Sequence, residues 1–162
     1  MQIKNSNAIL PLRLGVGIVL INHENKIFVG KRIDNQEGNY WQMPQGGVDE
    51  NENLLQAAKR ELEEETGVKT TKLIKELDNW LTYDLPKNLL GKIWKGKYRG
   101  QKQKWFIMKF TGKNEEININ TKHPEFIDWK WIEHQDLPKV AVAFKINIYE
   151  KLKEELASLN LN

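Results

Sequence analysis

One segment, residues 46–68, constrains this chain more than any other: GGVDENENLLQAAKRELEEETGV. Asn53, with Gln56 three residues later, is typical of the start of a helix, and Gly67 supplies a left-handed stop. The segment therefore predicts a short helix over residues 54–66 that follows a glycine turn.

Three acidic side chains of this helix share one face. At about 100° per residue, Glu61, Glu64 and Glu65 fall within a wedge of roughly a quarter turn. Like charges at this spacing repel and destabilise an isolated helix. A hard divalent cation, for which carboxylate oxygens are suitable ligands, would relieve that repulsion. The alternative from spacing alone is a solvated acidic edge of a surface helix.

The whole segment resembles the signature box of the Nudix hydrolases, and every fixed position of that box is filled. These positions are Gly46, Glu52, Arg60, Glu61, Leu62, Glu64, Glu65, Gly67 and Val68. WQMPQGG at residues 41–47 resembles the subgroup that contains bacterial RNA pyrophosphohydrolases and dinucleoside polyphosphate hydrolases. NWLTYDLP, QKQKWF, HPEF and VAFK are also similar to that subgroup, so the resemblance runs from about Arg13 to near the C-terminus.

Length and pattern predict a single α/β domain over residues 1–162. The resemblance implies a Nudix-type α/β/α sandwich with a mixed β-sheet. Alternation and turn residues predict strands over residues 14–21, 26–32, 71–82, 103–111 and 126–132, and a loop over 34–53. The last segment, residues 140–159, has helical periodicity throughout.

The composition excludes several kinds of site. The chain has no cysteine, so it has no disulfide, no zinc–thiolate centre and no cysteine nucleophile. The apolar stretch over residues 8–21 contains Pro11 and Arg13 and has no basic lead-in, so we expect neither a signal peptide nor a membrane span. We expect a cytoplasmic protein.

A basic segment, residues 87–113, holds nine lysines and arginines and no acidic residue. Trp94, Tyr98 and Trp105 are interleaved with these charges. Basic and aromatic residues together suit a polyanion that carries bases, through phosphate attraction and stacking. A solvated lysine-rich surface is the alternative, with Trp105 in a half-buried strand.

The resemblance implies a metal site for Mg²⁺, with Mn²⁺ as a substitute. Its implied ligands are the carbonyl of Gly46 and the carboxylates of Glu61, Glu64, Glu65 and Glu125. Glu61, Glu65 and Glu125 are also candidates for the catalytic base, and the sequence does not choose among them.

Other residues have implied supporting roles. Glu52 and Arg60 are expected to orient the motif. The candidates for substrate binding are Arg13, Arg32 and Lys104 for phosphates or the nucleotide, and Tyr83 and Phe144 for a base. The alternatives are charge at a strand edge for the three basic residues and packing in the core for the two aromatic residues.

The function implied is an RNA pyrophosphohydrolase, in which water attacks a phosphoanhydride bond and a 5′-triphosphate RNA end becomes a monophosphate, initiating RNA decay. Hydrolysis of dinucleoside polyphosphates such as diadenosine tetraphosphate is the alternative. A noncatalytic nucleotide- or RNA-binding module and hydrolysis of oxidised nucleoside triphosphates are minor options. The expected partner is the substrate, with no membrane and no obligate protein partner.

Overall fold

The computed structural model of the protein describes residues 10–159. Both ends of the expected domain 1–162, and the start of the apolar stretch 8–21, lie outside the described residues. The strands are β1 (Leu12–Ile21), β2 (Ile27–Arg32), β3 (Gln45–Gly47), β4 (Thr71–Glu76), β5 (Leu81–Asp84), β6 (Gly100–Phe110) and β7 (Phe126–Ile132). The helices are α1 (Leu54–Thr66), α2 (Leu137–Val140) and α3 (Ile146–Ser158).

The strands form one seven-stranded mixed sheet with the order β4-β6-β1-β2-β7. Strands β1 and β6 run parallel along their whole length, while the other pairs are antiparallel. Strand β3 also pairs with β1, and β5 pairs with the first part of β6. The predicted α/β class and mixed sheet are confirmed.

Each face of the sheet carries its own core. Successive side chains of a strand point to opposite faces, and β1 accordingly sends Ile18 to one core and Val19 to the other. The core with Ile18 includes Leu62 of α1, and the core with Val19 includes Leu152 of α3. The two long helices therefore cover opposite faces, as in the expected sandwich.

Helix α1 has the predicted bounds and caps. The side chain of Asn53 accepts a hydrogen bond of 2.7 Å from the backbone N–H of Gln56. Gly67 adopts a left-handed φ of 76°, which favours glycine, and its N–H donates to the Glu63 carbonyl. Both ends of the helix are therefore determined by local residues.

Three predictions about secondary structure were wrong. The expected loop over residues 34–53 contains β3, and the expected strand over 71–82 is two strands, β4 and β5. The last long helix begins at Ile146, because a short 3₁₀ turn at Ala143–Lys145 precedes it. Within residues 10–159, every helix is too short or too polar to span a bilayer.

Candidate active site

Residues 45–47, the predicted glycine turn, form the short strand β3 and lie against the acidic face of α1. The N–H of Gln45 donates to Glu65 Oε2 at 3.0 Å, which ties the turn to the buried end of the helix. A Cβ atom on Gly46 would overlap the carboxylate of Glu61. The motif therefore needs glycine here because a carboxylate lies directly against the backbone.

Arg60 is the central cation of the motif. Its guanidinium makes two bonds to Glu52, of 2.8 and 2.9 Å, and donates to the Gly47 carbonyl at 2.9 Å. Nη1 of Arg60 also contacts Glu61 Oε1 at 2.9 Å and Glu64 Oε2 at 3.2 Å. Arg60 therefore joins the glycine turn, the loop before α1 and the acidic face.

Burial perturbs the carboxylates of α1. Removal from water raises the pKa of Glu61 to about 7, against the opposing charge of Arg60. Burial also raises the pKa of Glu65, with repulsion from Glu61 and Glu125 adding to the effect. By contrast, the bonds from Arg60 lower the pKa of Glu52 to about 2. Nearby positive charge and hydrogen bonds therefore do not offset the burial of Glu61 and Glu65, whereas Glu52 is paired with Arg60.

A cleft of about 760 Å³ opens over this acidic face. Gly46, Glu61, Glu65 and Glu125 line one part of it. Glu125 is exposed and immediately precedes β7, and its backbone carbonyl accepts from the N–H of Ile33. The cleft therefore brings together four of the five implied metal ligands.

The fifth implied ligand, Glu64, lies outside the cleft lining. Its side chain is 57% exposed, and its carboxylate contacts Arg60. Glu64 lies close enough to raise the pKa of Glu61 by charge repulsion. It is therefore a neighbour of the buried carboxylates at the rim of the site.

Four of the five implied substrate-binding residues line the cleft, namely Arg13, Arg32, Tyr83 and Phe144. The rings of Tyr83 and Phe144 pack at a centroid distance of 5.5 Å. Arg32 forms a two-point ion pair with Asp34, with bonds of 2.7 and 2.6 Å. The lining of the cleft thus combines aromatic surface with guanidinium groups.

Lys104 does not line the cleft. Its ammonium donates to the Asp78 carbonyl at 2.8 Å and lies 5.6 Å from the ring centroid of Trp80. Strand alternation explains the difference, since Lys104 points to the opposite side from its neighbour Gln103. The structure does not bring Lys104 together with the other candidates.

Sequence reasoning missed a chain of buried amides beneath the cleft. Gln103 donates from Nε2 to Gln45 and to Gln101, both at 2.8 Å, and the Tyr83 hydroxyl donates to Gln101 Oε1 at 3.1 Å. Gln101 lines the cleft, and its buried Nε2 has no hydrogen-bond partner among the described residues. Glutamines at alternate positions of QKQKWF were the available signal, because polar residues on the buried side of a strand need partners.

Lys145 was also missed. It lines the cleft with 6% of its surface exposed, and its Nζ lies 3.3 Å from Gln42 Oε1. Burial, together with the charge of Arg32, lowers the pKa of Lys145 to about 7. A lysine after an apolar Val-Ala-Phe run reads as helix surface in the sequence, so only the fold reveals its position.

The donor chemistry of the site fits a hard divalent cation. Glu61 and Glu65 are desolvated carboxylates that repel each other, and a cation would favour their ionised forms. Within residues 10–159, however, no three Asp, Glu, His or Cys side chains already converge as an ion site. Arg60 occupies an oxygen of Glu61, so an incoming cation would replace part of this contact.

The chain belongs to the Nudix family, whose domain profile matches residues 11–152. This family generally uses divalent metal cations.

Relatives of similar length share much of the sequence. The chain is 61% identical to an RNA pyrophosphohydrolase of Pelagibacter ubique over 150 residues, covering 93% of this chain and 94% of the relative. It is 48% identical to an RNA pyrophosphohydrolase of Bradyrhizobium over 161 residues, covering 93% and 95%.

Solved structures share the fold at low identity. An E. coli dihydroneopterin triphosphate pyrophosphohydrolase has a TM-score of 0.70 at 18% identity, covering 90% of this chain and 99% of that one. A C. elegans Ap4A hydrolase binary complex has a TM-score of 0.62 at 20% identity, with the same coverage. These similarities establish the fold.

Proposed function

We propose that this protein is an RNA pyrophosphohydrolase that removes pyrophosphate from the 5′-triphosphate end of RNA and leaves a 5′-monophosphate. One observation carries the proposal: two buried carboxylates, Glu61 and Glu65, line the same cleft as the guanidinium groups of Arg13 and Arg32. A triphosphate that holds a divalent cation complements both sets of charges.

The proposed ligands for Mg²⁺, or Mn²⁺ in its place, are the Gly46 carbonyl and the carboxylates of Glu61, Glu64, Glu65 and Glu125. When bound, the ion would supply electrostatic stabilisation of the phosphate oxygens and of an attacking water. Glu64 would have to turn away from Arg60, which it contacts at 3.2 Å. Arg60 would still hold the turn through Glu52 and Gly47.

The remaining chemistry needs only proton transfer and charge stabilisation. The oxygen of water forms a bond to phosphorus, and a bridging P–O bond breaks to release pyrophosphate. The proton passes to a carboxylate, for which Glu61, Glu65 and Glu125 are the proposed acceptors. Burial raises the pKa of Glu61 and of Glu65 in the metal-free fold, and a bound cation would hold both in the ionised form that accepts a proton.

The cations of the cleft would stabilise charge on the phosphates during this step. Arg13 and Arg32 are the proposed phosphate contacts, and the free Nε2 of Gln101 is a further donor. Tyr83 and Phe144 offer aromatic surface for a base. Lys104 is left out because its ammonium is engaged by the Asp78 carbonyl.

The names of the relatives favour RNA ends as the substrate. At 61% identity and 94% coverage of the relative, the RNA pyrophosphohydrolase of Pelagibacter ubique aligns over nearly the whole chain. A dinucleoside polyphosphate would use the same carboxylates and the same bond cleavage. That alternative therefore differs from the proposal in substrate only, and a comparison of activity on the two substrates distinguishes them.

Residues 1–162 would then form one catalytic domain. A noncatalytic module would retain binding without turnover. Two desolvated carboxylates argue against it, because a polyanion-binding surface gains nothing from buried negative charge.

Pyrophosphate release from 5′-triphosphate RNA with Mg²⁺ tests the proposal. We expect Glu65→Gln to lower kcat at least about 100-fold. Glu63→Gln is the matched control, since Glu63 is an exposed glutamate of the same helix that pairs with Lys69. Equal activity of the two variants would contradict a catalytic role for the acidic face.

A further inference from the structure

Arg13 lies between the glycine turn and an indole. Its guanidinium carbon is 5.2 Å from the ring centroid of Trp94. On the other side, a Cβ atom on Gly47 would overlap the same guanidinium. Arg13 therefore has a defined place beside the acidic site, with Trp94 as one of its supports.

Arg13 differs from the other arginines in its lack of an acidic partner. The chain has four arginines, and three of them, Arg32, Arg60 and Arg99, form ion pairs with carboxylates. Within residues 10–159, the structure contains no carboxylate within ion-pair distance of Arg13. Its charge acts on Glu61 at longer range, where it lowers the pKa of that carboxyl, so the guanidinium stays available to an anion in the cleft.

The backbone at Trp94 is strained. Trp94 and Lys95 have φ values of 52° and 57°, which side-chain-bearing residues rarely adopt, and Gly96 follows at 70°. Such conformations persist when the surroundings require them, and they cluster at functional sites. The strained segment is part of the cleft, which Trp94 lines.

The loop that carries Trp94 is anchored at both ends. The N–H of Leu85 donates to the Arg99 carbonyl at 2.7 Å, and the N–H of Arg99 donates to the Pro11 carbonyl at 3.0 Å. Tyr98 meets the Trp94 ring edge-on at 6.2 Å. Because Pro11 lies two residues before Arg13, this bond joins the loop of Trp94 to the segment that carries Arg13.

We propose that Trp94 is a positioning residue, which holds the guanidinium of Arg13 in the orientation that binds a substrate phosphate. This inference rests on the function proposed above. A cation over an indole face is attracted by the ring and loses conformational freedom. The phosphate then meets an arginine that is already placed, so less binding free energy is lost in ordering it.

Trp94 could instead stack directly on a base of the substrate. The observed packing opposes that arrangement, because the guanidinium of Arg13 covers one ring face and the indole packs partly against the core. The two roles differ in whether the effect of Trp94 depends on Arg13.

A double-mutant cycle separates them. Arg13→Ala, Trp94→Ala and the double variant are compared by KM and kcat on 5′-triphosphate RNA. We expect Trp94→Ala to raise KM about fivefold or more with kcat within about twofold, and the double variant to match Arg13→Ala. Multiplicative effects of the two changes, or a loss confined to kcat, would overturn the positioning role.

Two further variants protect the result from effects on folding. Trp94→Phe keeps an aromatic face and should restore most of the KM, so failure of this rescue would count against the proposal. Trp80→Ala is the matched control, because Trp80 also packs under a lysine, Lys102 at 4.9 Å, but does not line the cleft. It should leave KM unchanged.

The same cycle can be measured without turnover. Calorimetry in the presence of Mg²⁺ measures the affinity of each variant for a nucleoside triphosphate with methylene-bridged phosphates, which the enzyme does not hydrolyse. If the wild-type protein hydrolyses no RNA, the proposed function fails while this cycle still tests the coupling. Independent effects of Arg13 and Trp94 on affinity would refute the inference by itself.

Discussion

Arg60 and Glu52 form a two-point ion pair, with Nε–Oε2 and Nη2–Oε1 distances of 2.8 and 2.9 Å. Glu52 also accepts from the N–H of Asp49 at 3.0 Å, so the pair closes the loop that precedes α1. This geometry fits the expected role of both residues as orienting partners of the motif. The pair holds in place the arginine that contacts Glu61.

Glu52→Gln should destabilise the fold, because it removes the charge from a bidentate pair and leaves Arg60 under-compensated. We expect a loss of about 1–2 kcal/mol in the free energy of unfolding, or roughly 3–6 °C in Tm. Thermal melting at pH 7 measures it. Glu50→Gln, a change at a nearby exposed glutamate, is the control, and equal melting of the two variants would contradict the prediction.

The same pair predicts acid sensitivity. The pKa of Glu52 is about 2 in the fold, below its ordinary value of 4.5, so its stabilisation is full above pH 4.5 and is lost as the pH falls toward 2. Chemical unfolding between pH 2 and 5 should show a stability difference between wild type and Glu52→Gln that shrinks with acid. A constant difference would argue against the ion pair as its source.

Activity and stability should respond in opposite directions at Glu65. Replacing this buried carboxylate by glutamine removes a desolvated charge but keeps an acceptor for the Gln45 N–H. Without metal at pH 8, we expect Glu65→Gln to melt at or above the wild-type temperature although its turnover is lost. A clear decrease in Tm would show instead that the carboxylate supports the fold.

Metal binding should compete with protons at Glu61. Its pKa of about 7 lies above the ordinary value of 4.5, so the metal-free fold loses stability as the pH rises from 4.5 through 7. A divalent cation binds the ionised form, and the Mg²⁺-induced rise in Tm should be larger at pH 8 than at pH 5.5. The pH dependence should weaken in Glu61→Gln. The same Mg²⁺ effect at both pH values would contradict this coupling.

Lys145→Met should separate substrate affinity from stability. The pKa of Lys145 is lowered from 10.5 to about 7 by burial, so the charged form opposes folding at and below neutral pH. We expect the variant to be at least as stable as wild type at pH 6, with a higher KM for a polyanionic substrate. Unchanged KM would place Lys145 outside substrate binding.

Local signals in the sequence were sufficient for α1. Its cap residues act on adjacent backbone, and the structure has the predicted bounds over residues 54–66. Strand β3 was missed because a Gln-Gly-Gly run has weak strand propensity and pairs only through its tertiary contact with β1. The break between β4 and β5 falls at residues 77–80, which include Asp78 and Asn79, residue types that are depleted in strands.

The site was predictable where one element carries the residues. Glu61 and Glu65 share a helical face that spacing reveals, whereas Gln101 and Lys145 come from β6 and from the turn before α3. Their placement in the cleft depends on how the strands and helices pack. Lys104 illustrates the converse, because its residue type suits phosphate while strand alternation turns it away.

The most direct test of the account is a side-by-side kcat/KM with Mg²⁺ on 5′-triphosphate RNA and diadenosine tetraphosphate, with Glu64→Gln as the low-activity control. We expect hydrolysis of both phosphoanhydrides at the same site, a clear preference for RNA, and loss of most turnover in the variant. Preference for the dinucleotide would contradict the proposed substrate, and no hydrolysis of either would contradict the catalytic role of the acidic face.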